Sequence, residues 1–261
     1  MSENADLTRH IEAIFQAETI EAIWSLHVRK MARYGFDRLI YGLIYGLTRC
    51  PKARAFGVED NLLMISNHDP GYIRDYVQSG LFIHAPMVRW AIENSGPCSW
   101  RMVQTLAPAE TITPEQRKIA DLNRRHGVGA GYTIGFRDHS LRAKGIIDLC
   151  ASRGLTQDDV EKVWASHGTE ITIINNSTHL RMASMPFASS RRALTDRQRE
   201  VLEWVADGKT MQDIAEIMGV TPATVEKHLR LAREALKVET TAQAVLKASF
   251  QNQIFMVPLN A

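Results

Sequence analysis

The chain has 261 residues, 45% of them hydrophobic and 23% charged, which is the composition of an ordinary globular protein and allows two domains. Its formal net charge of +2 excludes bulk charge as a signal for nucleic-acid binding, so any such function must come from the local placement of charges. The three cysteines, Cys50, Cys98 and Cys150, are far apart and odd in number, which argues against a metal site or a disulfide framework. No secretory pattern opens the chain and no apolar run of about 18 residues follows, so we expect a cytoplasmic protein without a membrane span.

Residues 1–183 predict a series of helices and strands. The apolar spacing from Leu7 to Met31 is helical, and the segments FDRLIYGLIYG and NLLMIS are rich in the β-branched and aromatic residues typical of strands. Short helices in NHDPGYIRDYVQSGLF and APMVRWAIENSG precede a longer helix, which Thr113 caps and Gly127 ends. Two strands, GAGYTIGFRD and AKGIIDLCAS, are predicted around a turn near His139, and a long helix follows in TQDDVEKVWASHGTEITIINNSTHL. This order predicts an α+β fold, an α/β/α sandwich around a mainly antiparallel sheet.

The C-terminal part of the chain has a different pattern. Residues 184–193 lack a period and are rich in small residues, so we expect a linker there. Residues 194–261 predict an all-α domain of four helices. A capping box of Thr195 and Gln198 begins the first helix, and Gly219 separates the second helix from the third. A short helix, a glycine turn and a longer helix are typical of the helix-turn-helix motif.

The third of these helices, in PATVEKHLRLAREAL, has two distinct sides. Thr221 caps it, and Pro222 suits its first turn. One side carries a narrow apolar stripe, formed by Val225, Leu229, Ala232 and Leu236. Charged residues opposite such a stripe usually form a solvated face, but the second helix of a helix-turn-helix motif lies in the DNA major groove. The outer side therefore has two interpretations, solvation or DNA recognition.

Side chains on that outer side suit contacts with double-stranded DNA. Glu226, Lys227 and Arg230 point in the direction of base edges, where Arg or Lys pairs with guanine and Glu accepts from cytosine. Contacts with phosphates position a protein but carry little sequence information. We expect such contacts from three basic residues, Arg233, Lys237 and Lys209. The predicted DNA-binding surface also includes Thr210 and Thr224.

The residue identities in this domain are more informative about its function than its charge pattern is. In order and spacing, the words LT, EVLEW, GKT, DIA and TPATVEKH resemble the DNA-binding domain of the LuxR family of bacterial transcription regulators. That family typically has Glu in the first helix where this chain has Gln198, which still completes the capping box. The resemblance implies a homodimer on an inverted-repeat DNA site, with the last helix, residues 240–251, at the two-fold contact.

The first domain carries a second and sparser resemblance. Its order of elements does not fit a phosphorylated receiver domain, which alternates parallel strands with helices. The spacing of Tyr72, Tyr76, Pro86 and Trp100, together with HGVGAGYTIGF, resembles the autoinducer-binding domain of the quorum-sensing LuxR subgroup. The resemblance implies a small-molecule pocket in which Tyr72, Tyr76 and Trp100 provide apolar walls and polar tips. Without it, the same aromatic residues are more often ordinary core.

One departure from the subgroup bears on the ligand. The subgroup usually has Asp just before that proline, where its carboxylate accepts the amide N–H of an acyl-homoserine lactone, and this chain has Ala85. A hydrogen bond to a charged acceptor is worth about 1.5–3 kcal/mol, so its loss would weaken that ligand by roughly one to two decades. Asp148 falls where relatives carry a Ser or Thr that faces the ligand, and we hypothesise that it supplies the acceptor from the other wall. Alternatively, Asp148 faces solvent on a half-exposed strand.

The sequence therefore predicts a ligand-responsive bacterial transcription regulator that senses an acyl-homoserine lactone or a related signal. It predicts no catalytic residue, metal or cofactor, and the expected partners are double-stranded DNA, the signal and a second copy of the chain. Ala85 keeps open an orphan regulator, which binds a different apolar ligand or acts without one. An enzyme with an accessory helical module is the other alternative, and the lack of a nucleophile–base pair or a phosphate loop argues against it.

Overall fold

The structure is a computed structural model that describes residues 3–45, 62–106, 112–138, 143–187 and 193–256. The described residues form two compact units: most of those up to Ala183 belong to the first, and those from Ser184 onward belong to the second. The predicted turn near His139 and residues 188–192 of the predicted linker lie outside the described residues. None of the described helices is both long and apolar enough to cross a membrane.

The helices of the first unit follow the predicted order with one difference. They are α1 (Glu3–Gln16), α2 (Ile20–Ala32), α3 (Pro70–Ile73), α4 (Pro86–Glu93), α5 (Arg101–Leu106), α6 (Pro114–His126) and α7 (Gln157–Ala183). A π-helical turn, Arg74–Gln78, and a 3-10 turn, Leu81–His84, connect α3 to α4. The single helical pattern predicted from Leu7 to Met31 is two helices, because Thr19 caps a new one by accepting a hydrogen bond from the Ala22 N–H.

The sheet of the first unit has five strands, described as β1 (Phe36–Tyr45), β2 (Leu62–Ser66), β3 (Gly96–Ser99), β4 (Gly131–Gly135) and β5 (Ala143–Ala151). Their order is β2-β1-β5-β4-β3. The pairs β1–β5, β5–β4 and β4–β3 are antiparallel, as predicted. The sequence did not predict β3, whose residues include Gly96 and Pro97 and give no strand-like pattern.

The two faces of the sheet have different neighbours. Side chains of directly paired residues share a face, which places Ile40, Asp148, Thr133 and Cys98 in one row. That face packs under α3, α4 and α6, in a core that includes Tyr72, Ala91, Leu122 and Ile146. The opposite face packs against α7, where the Tyr41 hydroxyl and Nδ1 of His179 form a 2.9 Å hydrogen bond. Helices therefore cover both faces, and the predicted α/β/α sandwich is confirmed.

The second unit contains the four predicted helices, which are α8 (Asp196–Ala206), α9 (Met211–Met218), α10 (Pro222–Leu236) and α11 (Thr241–Phe250). Thr195 and Gln198 form the predicted capping box at the start of α8. Gly219 ends α9 with a φ of +65°, which turns the chain into α10. The apolar stripe of α10 is buried in the core of this unit with Val201, Leu202 and Ile214. The predicted helix-turn-helix arrangement is confirmed.

Part of the predicted linker lies against the second unit. The Phe187 N–H donates to the Gln251 carbonyl at 3.0 Å, and the Met185 carbonyl accepts from the Asn252 side chain at 3.2 Å. Residues 184–187 therefore have fixed partners near the end of α11. The boundaries drawn at residues 183 and 194 stay a proposal.

A close packing of β4 on Trp100 makes a first prediction. A Cβ at Gly131 would lie 2.2 Å from the Leu149 carbonyl oxygen and 3.1 Å from the Trp100 ring, whereas a Cβ at Gly129 meets nothing within 4 Å. We expect Gly131→Ala to lower the free energy of unfolding by about 1–3 kcal/mol through overpacking, and the matched Gly129→Ala to change it by less than about 0.5 kcal/mol. Urea unfolding of the full chain measures both, and equal stability of the two variants would contradict the packing described.

Candidate functional site

A cavity of about 350 Å³ lies between the row that contains Asp148 and the helices on that face. Small-molecule sites typically have volumes of roughly 300–1,000 Å³. Much of the wall is apolar, with contributions from Ile40, Met87, Val103, Ile112, Ile119 and Val128. Polar or aromatic groups come from His68, Tyr72, Tyr76, Trp100, Gln116, Asn123 and Asp148. A largely apolar cavity with a few polar groups suits a small amphiphilic molecule.

The structure places all the sequence-predicted ligand residues around this one cavity. They are Tyr72, Tyr76, Ala85, Trp100 and Asp148. Sequence reasoning did not assign four further polar residues to this wall or its immediate neighbourhood, namely His68, Gln116, Asn123 and Thr133. His68 had a visible signal, because it precedes Tyr72 by the same four residues that separate Tyr72 from Tyr76. Asn123 and Thr133 had none, because their partners are distant in the sequence.

Two tyrosines and a histidine form a stack along one wall. Ring centroids are 4.8 Å apart for His68 and Tyr72, and 5.3 Å apart for Tyr72 and Tyr76. The start of α3 orders this wall, because the Asp69 carboxylate caps it by accepting from the N–H groups of Gly71 and Tyr72. Burial lowers the pKa of His68 to about 4, so this ring is neutral at physiological pH.

The two tyrosine hydroxyls differ in their partners. The Tyr72 hydroxyl donates to Oδ1 of Asn123 on α6 at 2.9 Å. The Tyr76 hydroxyl makes no hydrogen bond to any residue that the structure describes. Burial, reinforced by the charge of Asp148, raises the pKa of both tyrosines well above the usual value. Both therefore remain protonated at physiological pH.

The sheet wall is organised by a chain of hydrogen bonds. Nε1 of Trp100 donates to the Thr133 hydroxyl at 2.9 Å, and that hydroxyl donates to Oδ1 of Asp148. Burial raises the pKa of Asp148 to about 6, and the hydrogen bond from Thr133 partly opposes this rise. Asp148 lines the cavity rather than a solvent-facing strand surface, which corrects the alternative placement considered from the sequence.

The predicted DNA-facing side of α10 is exposed in the second unit. Glu226, Lys227 and Arg230 are exposed, and Thr224 is half-buried with its hydroxyl 3.0 Å from that of Thr221. Arg230 forms an ion pair with Glu234 one turn further along the helix. Lys227 makes no ion pair with any described residue. The outer side of α10 is therefore available, and Lys227 is its least constrained cation.

Arg233 has a more structural position than the sequence suggested. Its guanidinium donates to Oε1 of Glu226 at 2.9 Å and to the Thr241 hydroxyl at 2.9 Å, and its side chain is 21% exposed. These contacts join α10 to the start of α11 and hold the Glu226 side chain in place. The structure therefore gives Arg233 an intramolecular role besides the predicted contact with phosphate.

The remaining predicted DNA contacts lie at the ends of α9 and α10. Lys209 is exposed just before α9, and Thr210 is the N-cap of that helix, where its hydroxyl exchanges hydrogen bonds with Asp213. Lys237 is exposed at the end of α10 with a φ of +53°. Side chains at a helix N-terminus and on an adjacent loop are common phosphate contacts.

Comparison with known proteins identifies the class of protein that carries a small-molecule cavity and a helix-turn-helix. The family described as "Autoinducer binding domain" matches residues 19–182, and "Bacterial regulatory proteins, luxR family" matches residues 192–248. The chain belongs to the luxR family of bacterial transcription regulators, with an N-terminal autoinducer-binding domain. The family consists of regulators rather than enzymes, which confirms the sequence-based expectation.

Similar proteins share the architecture along most of their length. The transcriptional activator AnoR of Acinetobacter nosocomialis is 25% identical over 83% of this chain and 85% of its own. LuxR of Aliivibrio fischeri is 22% identical over 73% of this chain and 74% of its own. The crystal structure of Escherichia coli SdiA covers 98% of this chain and 100% of its own, with a TM-score of 0.52 and 16% identity. A structure of SdiA in complex with octanoyl-rac-glycerol gives a TM-score of 0.53 at 14% identity.

The raised pKa of Asp148 predicts a pH-dependent cost to stability. Its value of about 6 lies above the ordinary 3.8, so ionised Asp148 destabilises the folded state at pH 7.5. A difference of about two pKa units corresponds to about 3 kcal/mol. We expect Asp148→Asn, which keeps an acceptor for Thr133, to raise the free energy of unfolding by about that amount at pH 7.5. This gain shrinks as the pH falls through 6 and vanishes near 4.

Chemical denaturation of the ligand-free protein at several pH values measures this effect. Asp121→Asn provides the control, because Asp121 is an exposed residue on α6 that pairs with Arg124. The control variant should have the same free energy of unfolding as the wild type at every pH. An Asp148→Asn variant that is less stable than the wild type at pH 7.5 would contradict the raised pKa of the Asp148 carboxyl.

Proposed function

We propose that this regulator binds an apolar-tailed signal molecule in the cavity of its first unit and, as a homodimer, an inverted-repeat site on double-stranded DNA. The observation that carries the proposal is the cavity itself, which has mainly apolar walls and a small set of convergent polar groups. Ligand that binds only the folded first unit stabilises it by mass action. The signal thereby controls how much folded, dimerisation-competent regulator is present in the cytoplasm.

In this proposal the ligand lies between the aromatic wall and the sheet. Tyr72, Tyr76 and Trp100 contact it through ring surfaces, and Asp148 supplies the polar acceptor. Ala85 stands where the subgroup has an acidic acceptor and only adds apolar surface. The candidate ligands are an acyl-homoserine lactone, as the family resemblance implies, and octanoyl-rac-glycerol, the molecule bound to SdiA in one of the similar structures.

DNA recognition is assigned to the exposed side of α10. Lys227 and Arg230 contact base edges together with Glu226, and the Arg230–Glu234 ion pair opens when Arg230 reaches a base. Contacts with phosphates come from Lys209, Thr210, Thr224, Arg233 and Lys237. Two copies of α10 reach half-sites about one helical turn apart, and the 44% exposed Leu246 on α11 supports a two-fold contact there.

A second candidate function is an orphan regulator that binds another apolar ligand or acts without one. Ala85 favours it, because the usual acceptor for the lactone amide is absent at that position. Both candidates share the DNA-binding function, so they differ only in what occupies the cavity.

Purification of the protein with and without a panel of acyl-homoserine lactones tests whether the cavity binds a molecule of this class. We expect one lactone at 100 times its Kd to stabilise the first unit by about 2.7 kcal/mol and to appear in the native mass spectrum. Ala120 lines the cavity, so Ala120→Trp should abolish the shift, whereas Lys118→Trp on the exposed side of α6 should keep it. No shift with any lactone, and either no bound mass or a different one, would favour the orphan regulator.

Separate roles for Arg230 and Lys209 provide a test of the DNA-binding surface. We expect Arg230→Ala to relax preference at one base position in a selection from randomised inverted repeats, at about 1–3 kcal/mol. Lys209→Ala should weaken binding to all DNA sequences by the same factor. It should also reduce the slope of log affinity against log salt concentration by about 1. If Arg230→Ala instead weakens binding to all DNA sequences equally, Arg230 contacts a phosphate rather than a base.

A further inference from the structure

A second cavity, of about 240 Å³, lies between α1 and α2 in the first unit. This volume is below the roughly 300–1,000 Å³ of sites for drug-sized ligands, so the cavity suits a compact chemical group. Its polar lining consists of Asp6, Arg9, His10, Arg29, Lys30 and Arg33. None of these six is among the described residues that line the cavity beside Asp148. The cavity between α1 and α2 is therefore a separate and strongly basic site.

Carboxylates hold two of the four cations in position. Nζ of Lys30, whose side chain is 5% exposed, lies 2.8 Å from Oδ2 of Asp6 on α1 and 3.2 Å from Oε1 of Glu170 on α7. The guanidinium of Arg33 lies 3.0 Å from the same oxygen of Asp6. These ion pairs join three helices, so this part of the lining is ordered before any ligand binds. Such preorganisation lowers the entropy lost on binding.

The other two cations, Arg9 and Arg29, keep their charge available. Both are exposed, and neither forms an ion pair with any residue that the structure describes. The four cations stand against only two carboxylates, those of Asp6 and Glu170, which leaves a surplus of two positive charges. Guanidinium groups bind the oxygens of phosphates and carboxylates through paired N–H groups. A ligand group with two negative charges would neutralise the surplus.

A histidine nitrogen adds a hydrogen-bonding group to this basic cavity. Nε2 of His10 is shielded from solvent and has no hydrogen-bond partner within the described part of the chain. Buried polar atoms of native proteins nearly always have a partner, which makes this nitrogen a candidate ligand contact. Burial, followed by the positive charge of Lys30, lowers the pKa of His10 to about 4. The ring is therefore neutral at physiological pH, and the tautomer with its hydrogen on Nε2 donates to an acceptor oxygen.

We propose that the cavity between α1 and α2 binds a phosphate monoester through Arg9, Arg29 and His10. A phosphate monoester carries roughly two negative charges at physiological pH and presents three strong acceptor oxygens. It matches both the surplus charge and the available donors, whereas a single carboxylate matches only half of that charge. A phosphate that binds only the folded first unit stabilises it by mass action. The regulator thereby has a second chemical input, which does not depend on the ligand of the cavity beside Asp148.

Matched phenyl esters test this site on the full chain. Phenyl phosphate carries roughly two negative charges at pH 7.5, whereas phenyl sulfate, with the same ring, carries one. Titration calorimetry at low ionic strength should give a Kd for phenyl phosphate about 10-fold lower than that for phenyl sulfate. The double variant Arg9→Gln/Arg29→Gln should raise the Kd of phenyl phosphate roughly 10- to 100-fold. His10→Phe removes one donor and no charge, so it should raise this Kd by roughly 2- to 10-fold.

A matched double variant controls for a general effect of charge. Arg117→Gln/Arg125→Gln removes two exposed arginines from α6 and should bind phenyl phosphate like the wild type. Equal affinity for the two esters, or an equal loss in this control, overturns the site. Phenyl phosphate binding that persists in Arg9→Gln/Arg29→Gln places the anion elsewhere and also overturns it. If the wild type does not bind phenyl phosphate and this variant weakens binding to random-sequence DNA, the face contacts nucleic acid and the proposal is wrong.

Two sources of a phosphate monoester are distinguished by further probes. Binding of glycerol 3-phosphate that depends on Arg9 and Arg29 assigns a soluble phosphate ester. Flotation with phosphatidylcholine vesicles, prepared with and without phosphatidic acid, tests a lipid head group. Binding that requires phosphatidic acid and is lost in the Arg9→Gln/Arg29→Gln variant, without binding of glycerol 3-phosphate, assigns the lipid. None of these results bears on the signal cavity or on α10, so this inference and the proposed function succeed or fail separately.

Discussion

The cavity depends on the position of one carboxylate, that of Asp148, which lies on the central strand β5 of the sheet. A buried acid needs a donor, and Asp148 has one because β4 pairs with β5 in the register that sets Thr133 opposite it. The same threonine accepts from Trp100 and so fixes the orientation of the indole. A slip of one residue in this pairing would move Thr133 to the other face of the sheet. The register of β4 on β5 therefore decides both the shape of the wall and the hydrogen bonds left for a ligand.

Membership of the luxR family specifies the architecture but not the chemistry of this cavity. The resemblance to the quorum-sensing subgroup implies an acidic residue at the start of α4, and here Ala85 leaves that helix end without a side-chain cap. The acidic residue that lines this cavity stands instead on the sheet, at Asp148, and it belongs to a hydrogen-bonded chain that also engages Trp100. Moving an acceptor from one wall to the other changes which atoms of a ligand must be donors. The same fold can thus accommodate a different class of signal.

The second unit derives its shape from local signals at the ends of its helices. Capping boxes begin α8, α9 and α11, and together they satisfy backbone N–H groups that the helices leave unpaired. One tertiary contact adds to this, because Arg233 joins α10 to Thr241 and holds Glu226. The outer side of α10 is therefore partly ordered before DNA binds, and Lys227 is the side chain left to adapt. Partial ordering reduces the entropy lost on binding.

The sequence by itself determined the features that depend on residues three or four positions apart. The capping box of Thr113, the glycine end of α9 and the buried stripe of α10 are of this kind. Together with the β-branched and aromatic strand segments, they gave the order of elements from which the fold class was predicted. The spacing that resembles the family also singled out five residues that line one cavity in the structure. Only the tertiary structure decided which polar groups remain unpaired. Tyr72 meets Asn123 across 51 positions and Trp100 meets Thr133 across 33, and such pairs follow from sheet register and helix packing rather than from any local pattern.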